Sequence, residues 1–250
     1  MRRLRNVKIV ATLGPASETY DMIRALHEAG IGVICVSQSH AERLKCFLAT
    51  GPLPPITHIY NPIADTLAPD GTPRARNRLL YASSPHKGLT EVFDRFRELR
   101  RDMPDLTLAV ADPGYLDWKV GAAPDNVIGL GSLPHASLIN QMRRCLCLFY
   151  PQTTFAETFG LVLAEANAVG TPVLAHQGLG ANDEVVSAPE QLIDGHDIDA
   201  VRERIQSWQT HWVDLNVPPA IPEGNGTVHR YLLHWVCPPP IWNPGLLQSG

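Results

Sequence analysis

The chain has 250 residues, of which 44% are hydrophobic and 18% charged, with a formal net charge of −4. That is enough chain for one large domain, or one domain with appendages, and the acidic balance argues against a nucleic-acid footprint. No apolar run approaches the ~20 residues of a spanning helix, and five scattered cysteines without CxxC or metal spacing read as reduced, buried thiols of a cytoplasmic protein.

The start, Met1 to Arg5, is basic and precedes the apolar run Val7 to Leu13. Lys8 interrupts that run, so a buried strand is expected rather than a signal peptide. A helix is predicted over 19–29, with Met22, Ile23, Leu26 and Ala29 on its apolar face and Gly30 ending it. A second buried strand over 31–37 completes a βαβ unit. The segment Lys8-Ile-Val-Ala-Thr-Leu-Gly-Pro-Ala-Ser17, with Met22-Ile-Arg-Ala-Leu-His-Glu-Ala-Gly30 after it, resembles the beginning of a pyruvate kinase. That resemblance implies an arginine and an asparagine in the next strand. Cys35 and Ser37 stand there instead, and no later segment offers the family's lysine or its acidic magnesium ligands. Residues 5–30 therefore read as a βα piece filling a structural slot, not as a phosphotransferase.

A helix follows to residue 48, with Gln38 or Ser39 where a cap is wanted. After the proline-rich Gly51–Pro55 comes a short strand at 56–60. Asn61 to Thr72 reads as a polar linker. The expected division is an N-terminal βαβ remnant at 1–50, a linker at 51–72, a main domain at 73–212 and a proline-rich tail at 213–250.

In the main domain strands and helices alternate regularly. Strands are predicted at 79–82, 105–110, 127–130, 146–150 and 172–175, and helices from the Ser83–Gly88 turn to about Arg101, at 136–144 and at 198–212. Leu89, Val92, Phe93, Phe96 and Leu99 form one stripe on the first of these helices. Trp118, Trp208 and Trp212 are expected to pack. The fold class is α/β: a Rossmann-like parallel sheet with helices on both faces, plus the short N-terminal βαβ piece.

The stretch Phe155 to Leu174 reads as loop, helix, turn and strand. Glu157 precedes the helix and Glu165 lies about two turns inside it. Gly160 lets the backbone approach a ligand at the helix N-terminus, where free N–H groups and the dipole suit a phosphate. A carboxylate on either side suits hydroxyls. A phosphate flanked by hydroxyls describes a sugar nucleotide. Read without their context, both glutamates are equally solvated residues beside an ordinary helix, and Lys87 an ordinary surface lysine.

The ordered set Lys87-Gly88 after a strand, the Gly131 turn, Glu157-x7-Glu165 around Phe159-Gly160-Leu161, Gly170-Thr-Pro-Val173 and Gly178 to Glu184 resembles the C-terminal, donor-binding half of a group 1 retaining glycosyltransferase of the GT-B fold. The resemblance implies two catalytic residues. Glu157 would contact the donor sugar, and Lys87 would neutralise the diphosphate leaving group in place of a metal ion. It also implies that backbone amides near Phe159, Gly160 and Leu161 hold the distal phosphate, Glu165 the ribose hydroxyls, and the Gly131 turn the base. The family's Gly-Arg pair is replaced at Tyr81-Ala82, where the hydroxyls of Ser83 and Ser84 partly substitute. No metal and no cofactor are expected, since the nucleotide sugar is a co-substrate. The acceptor is a glycan, a lipid or a small molecule. The alternative is a truncated, non-catalytic nucleotide-sugar-binding module that needs a partner domain, chain or oligomer, because residues 1–50 cannot build the second wall of a cleft. His86, His135 and His176 receive no role.

Overall fold

A computed structural model describes residues 21, 24–25, 32–48, 55–114, 118–186 and 188–210. Two compact units divide between Tyr60 and Asn61. Of the helix expected over 19–29, residues 21, 24 and 25 are described and helical. The strand expected at 7–13, the tail, Trp212 and Cys237 lie outside the described residues.

In the first unit, strand β1 (Val33–Cys35), helix α1 (Gln38–Phe47) and strand β2 (Ile56–His58) form a parallel βαβ unit, with Cys35 opposite His58. The cap of α1 is Ser37, not Gln38 or Ser39. Its extended backbone sets the hydroxyl to accept from His40 N at 3.0 Å. That is an ordinary Ser cap onto the third helical N–H.

The second unit contains β3 (Arg78–Ala82), α2 (Leu89–Asp102), β4 (Thr107–Ala111), β5 (Val127–Gly131), α3 (His135–Arg144), β6 (Cys147–Tyr150), α4 (Leu161–Ala168), β7 (Val173–His176), α5 (Asn182–Val185), β8 (Leu192–Ile193) and α6 (Ile198–Thr210). The six strands are all parallel, in the order β5-β4-β3-β6-β7-β8. Strand β8 has only two residues and leaves no periodic signal in the sequence. Buried on both faces, β3 and β6 read as continuous apolar runs, as parallel central strands do. Leu79, Leu80, Leu108, Phe149 and Val173 are fully buried. Helix α2 adds its stripe from Leu89 to Leu99, each side chain contributing roughly 1.5–3 kcal/mol on burial. It packs with α6, and α3 packs with α4, so helices cover both faces of the sheet.

The strand order reverses between β3 and β6. In open α/β sheets such a reversal leaves a crevice beyond the C-terminal strand ends, where ligands bind. Of the segment expected to be a linker, residues 56–58 form β2 of the first unit and residues 61–72 belong to the second. Arg143 pairs with Asp70 at 2.8 Å, and Arg74 reaches Thr171 Oγ1 and Val169 O, both at 3.2 Å. The Gly170-Thr171 turn is thus a buried clamp, which Thr171 closes by donating to Met142 O at 2.8 Å. Among the described residues no helix is long and apolar enough to cross a membrane.

Cys35, Cys145 and Cys147 are buried free thiols, as expected, but Cys46 is exposed on α1. Burial pushes Cys145 up to about 12 and raises Cys147 well above the usual thiol value. Both stay protonated at pH 8. A thiolate-seeking reagent is therefore expected to label Cys46 in the native chain, and Cys145 and Cys147 only after unfolding. Peptide mapping by mass spectrometry checks this.

Candidate functional site

The crevice is lined by the two turns that follow β3 and β6. After β3, the turn closes with Lys87 N donating to Ser84 O at 3.0 Å. After β6, it is built by Gln152, a buried amide missed in the sequence. Gln152 Oε1 accepts from Thr154 N at 3.0 Å and Phe155 N at 2.7 Å, and its Nε2 donates to Phe155 O at 2.8 Å. Glu91 on α2 pins the same turn through Thr153 N at 2.6 Å. These contacts deliver Glu157 to the mouth of the crevice.

There Lys87 and Glu157 meet. Lys87 Nζ donates to both carboxylate oxygens, at 3.0 and 2.9 Å. The Glu157 side chain is 5% exposed and that of Lys87 22%. Lys87 Nζ also lies 4.8 Å from the ring centroid of Phe155, a cation–π distance. The sequence treats the two residues as separate ligands of one donor. The structure pairs them with each other.

Two buried tyrosines on the central strands hold the pair in place. Tyr150 on β6 donates to Glu157 Oε1 at 2.8 Å. Tyr81 on β3 stacks beside Tyr150, with centroids 5.8 Å apart, and donates to Ser84 O and Lys87 O at 2.9 and 3.2 Å. Burial first, and then the Glu157 charge, raise Tyr150 well above the usual phenol value. Its proton therefore stays available to the carboxylate. In sequence both tyrosines look like further apolar residues of buried strands. Tyr150→Phe deletes a hydrogen bond to a charged acceptor, worth about 1.5–3 kcal/mol. Ligand affinity at this site is expected to fall by roughly ten- to a hundredfold by the same magnitude. Calorimetry measures the affinity, and an unchanged circular dichroism spectrum shows that the fold survives.

Both helices that leave the crevice start without a side-chain cap. Helix α2 begins after Gly88 and α4 after Gly160, each glycine with left-handed backbone. In α4 the earliest bonds back to Gly160 O come from Leu163 and Ala164. The preceding N–H groups have no acceptor within the helix, as at any helix start, so two N-terminal dipole ends face the region of Lys87 and Glu157. Phe159 is buried and Leu161 is 43% exposed. Ser83 is half-buried, while Ser84 is buried and its hydroxyl has no hydrogen-bond partner among the described residues.

Glu165 lies on α4, roughly 7–8 Å along the axis from Gly160. Its carboxylate oxygen is 2.8 Å from His135 Nε2 at the start of α3. That partner went unassigned in the sequence; its clue was the position right after the Gly131 turn. Gly131 has φ +64 at the end of β5 and faces open space. The loop from Gly178 to Glu184 braces Glu157: Ala181 N donates to Glu157 O at 3.1 Å. Trp118, expected to pack, is 54% exposed and lies 5.9 Å from His86, which meets Phe155 edge-on at 5.4 Å. Trp208 is buried as expected.

The fold is thus a doubly wound α/β unit with a lysine–glutamate pair and two uncapped helix starts at its switch point, where open sheets of this kind bind ligands. The model of the family described as "Glycosyl transferases group 1" matches residues 79–214, and the chain belongs to that family. It is 29% identical over 188 residues to the GDP-mannose-dependent alpha-(1-6)-phosphatidylinositol monomannoside mannosyltransferase of Mycolicibacterium smegmatis. That match covers 65% of this chain and 49% of the relative, so the chain spans about half the relative's length. Among solved structures it is similar to TarM, with a TM-score of 0.63 and 18% identity over 85% of this chain and 44% of that one. The likeness to TarM is one of fold. A short stretch is 53% identical over 45 residues to the pyruvate kinase of Methylorubrum extorquens, 18% of this chain and 9% of that protein.

Proposed function

We propose that the chain binds a nucleotide-diphosphate sugar and forms the donor half of a retaining, metal-independent glycosyltransferase. The observation that carries this is the Lys87–Glu157 pair at the switch point, between the starts of α2 and α4. A diphosphate needs a cation and N–H donors, and a sugar needs a buried acceptor. The pair supplies the cation and the acceptor, and the helix starts supply the N–H groups. Membership of the glycosyltransferase family and similarity to a GDP-mannose-dependent relative support the donor class.

In this reading Lys87 leaves Glu157 for the diphosphate, and Glu157 turns to the sugar hydroxyls. The bond from the anomeric carbon to the phosphate oxygen breaks, and its electron pair goes to the leaving diphosphate. Lys87 and the helix N-termini stabilise that charge. The acceptor oxygen bonds on the same face and its proton passes to the leaving phosphate oxygen. Glu165 releases His135 to bind the ribose, and the Gly131 turn borders the base. The reading assigns no cofactor.

Calorimetry with GDP-mannose, UDP-glucose and their nucleoside diphosphates tests the reading. Binding of a sugar nucleotide is expected, and its loss in Lys87→Ala and Glu165→Ala. No binding to any of them overturns the proposal. A second reading is a nucleotide-sugar-binding module that does not turn the donor over on its own. Donor turnover or slow donor hydrolysis by this chain would exclude it.

A further inference from the structure

A second cluster of donor groups shares no residue with the Lys87–Glu157 pair. His176 ends β7, and Asp194 and His196 follow β8. Each offers one nitrogen or oxygen, and the three atoms lie within 4.8 Å of one another. His176 Nδ1 is 3.6 Å from Asp194 Oδ1, and the two imidazole centroids are 5.6 Å apart. A tetrahedral zinc ion with bonds of about 2.0–2.1 Å spaces its ligand atoms about 3.3 Å apart. The histidine–aspartate pair is within a few tenths of an ångström of that spacing.

The loop that carries two of these groups is held from three sides. Gly195 N donates to His176 Nδ1 at 2.9 Å, and Gly195 O accepts from Arg95 Nε on α2 at 2.8 Å. A side chain at 195 would meet Pro151 O at 2.1 Å, so the backbone sits directly against the turn after β6. Apart from the hydrogen bond at His176 Nδ1, which an ion would displace, the groups are gathered before any ion arrives, and this lowers the entropic cost of binding. A loop that only needed fastening to β7 would require His176 Nδ1 alone. It would not require a second imidazole and a carboxylate beside it.

We propose that His176, Asp194 and His196 bind a divalent transition ion of the zinc type, with water completing the coordination. Two imidazoles and one carboxylate suit zinc, cobalt and nickel better than magnesium or calcium, which take all-oxygen sites. The ion replaces the Gly195 N–H at His176 Nδ1 and ties the end of β7 to the β8–α6 turn. Its role is structural, and no step of the proposed reaction runs through it. The five cysteines gave no metal pattern in sequence. This set escapes notice because its members are 18 and 20 positions from His176 and only the fold brings them together.

The experiment uses the full chain without an affinity tag, carrying Cys46→Ser to remove the exposed thiol, after dialysis against a chelator. Zinc chloride is titrated by calorimetry and cobalt chloride by visible absorption. One equivalent of each is expected to bind, with a tetrahedral cobalt spectrum and a higher Tm in zinc. Asp194→Asn and His196→Gln, both at exposed positions, are expected to weaken binding by at least about tenfold with the circular dichroism unchanged. Absence of binding overturns the proposal. So does a full equivalent that survives both substitutions, since the ion would then sit elsewhere.

Discussion

Glu157→Gln is expected to abolish sugar-nucleotide binding and to lower stability by about 2–3 kcal/mol. Removing one partner of a fully buried ion pair costs roughly 3–5 kcal/mol, because the other charge is left without compensation. Lys87 keeps some contact with water, at 22% side-chain exposure, so the lower figure applies. Urea denaturation measures the stability and calorimetry the binding. The double variant Lys87→Met/Glu157→Gln separates the structural and functional roles of the pair. With no unpaired charge left, its stability is expected to return to within about 1 kcal/mol of the parent. Binding is expected to stay lost, because neither the diphosphate nor the sugar hydroxyls then find a charged partner. Restored binding would show that the pair is only scaffold.

Gly180→Ala is expected to cost about 2–5 kcal/mol and to remove binding without touching a ligand group. Gly180 has φ +61, and a Cβ there would lie 2.4 Å from Glu157 O and 2.7 Å from Glu157 N. These neighbours are backbone atoms and cannot rotate away. Left-handed strain adds about 1–3 kcal/mol and overpacking a similar amount. The relief is a shift of the Glu157 backbone, which misaligns its carboxylate with Lys87 and Tyr150. Gly178→Ala is the control. Its φ is +72, but nothing lies within 4 Å of the added carbon. Only the backbone strain remains, and binding is expected to persist. Equal loss of binding in both variants would show that the loop acts by some route other than pressing on Glu157.

The fold was legible where local chemistry decides it. The stripe Leu89, Val92, Phe93, Phe96 and Leu99 can only be one side of a helix. The apolar runs at 79–82 and 146–150 read as buried strands, and their alternation with helices implies a parallel sheet. The positions of Glu157 before a helix and Glu165 inside it were legible because a strand–loop–helix frame surrounds them. What could not be read was set by contacts across the chain. Tyr150 is apolar in pattern and polar in use, and only the arrival of Glu157 seven residues on reveals its hydroxyl. Gly180 looks like any loop glycine until the backbone of Glu157 is laid against it. His135 and Glu165 are 30 residues apart. The cap of α1 fell one residue from the expected pair because the extended angles of Ser37, not its polarity alone, aim its oxygen at His40 N. Trp118 was misjudged because a large aromatic in a loop packs only if the loop is covered.

At rest Lys87 is closed onto Glu157, and this contact sets how a ligand can come and go. A diphosphate alone draws the lysine away and strands a buried carboxylate. A free sugar alone leaves the lysine without its anion. Only a molecule that carries both parts satisfies both residues, so each half of the donor vouches for the other. In the proposed reaction, transfer of the sugar would strand the carboxylate again and set it in competition with the nucleoside diphosphate for the lysine. The ion pair would then act as an ejector. The spent nucleotide should bind more weakly than the intact donor, and product inhibition should be mild.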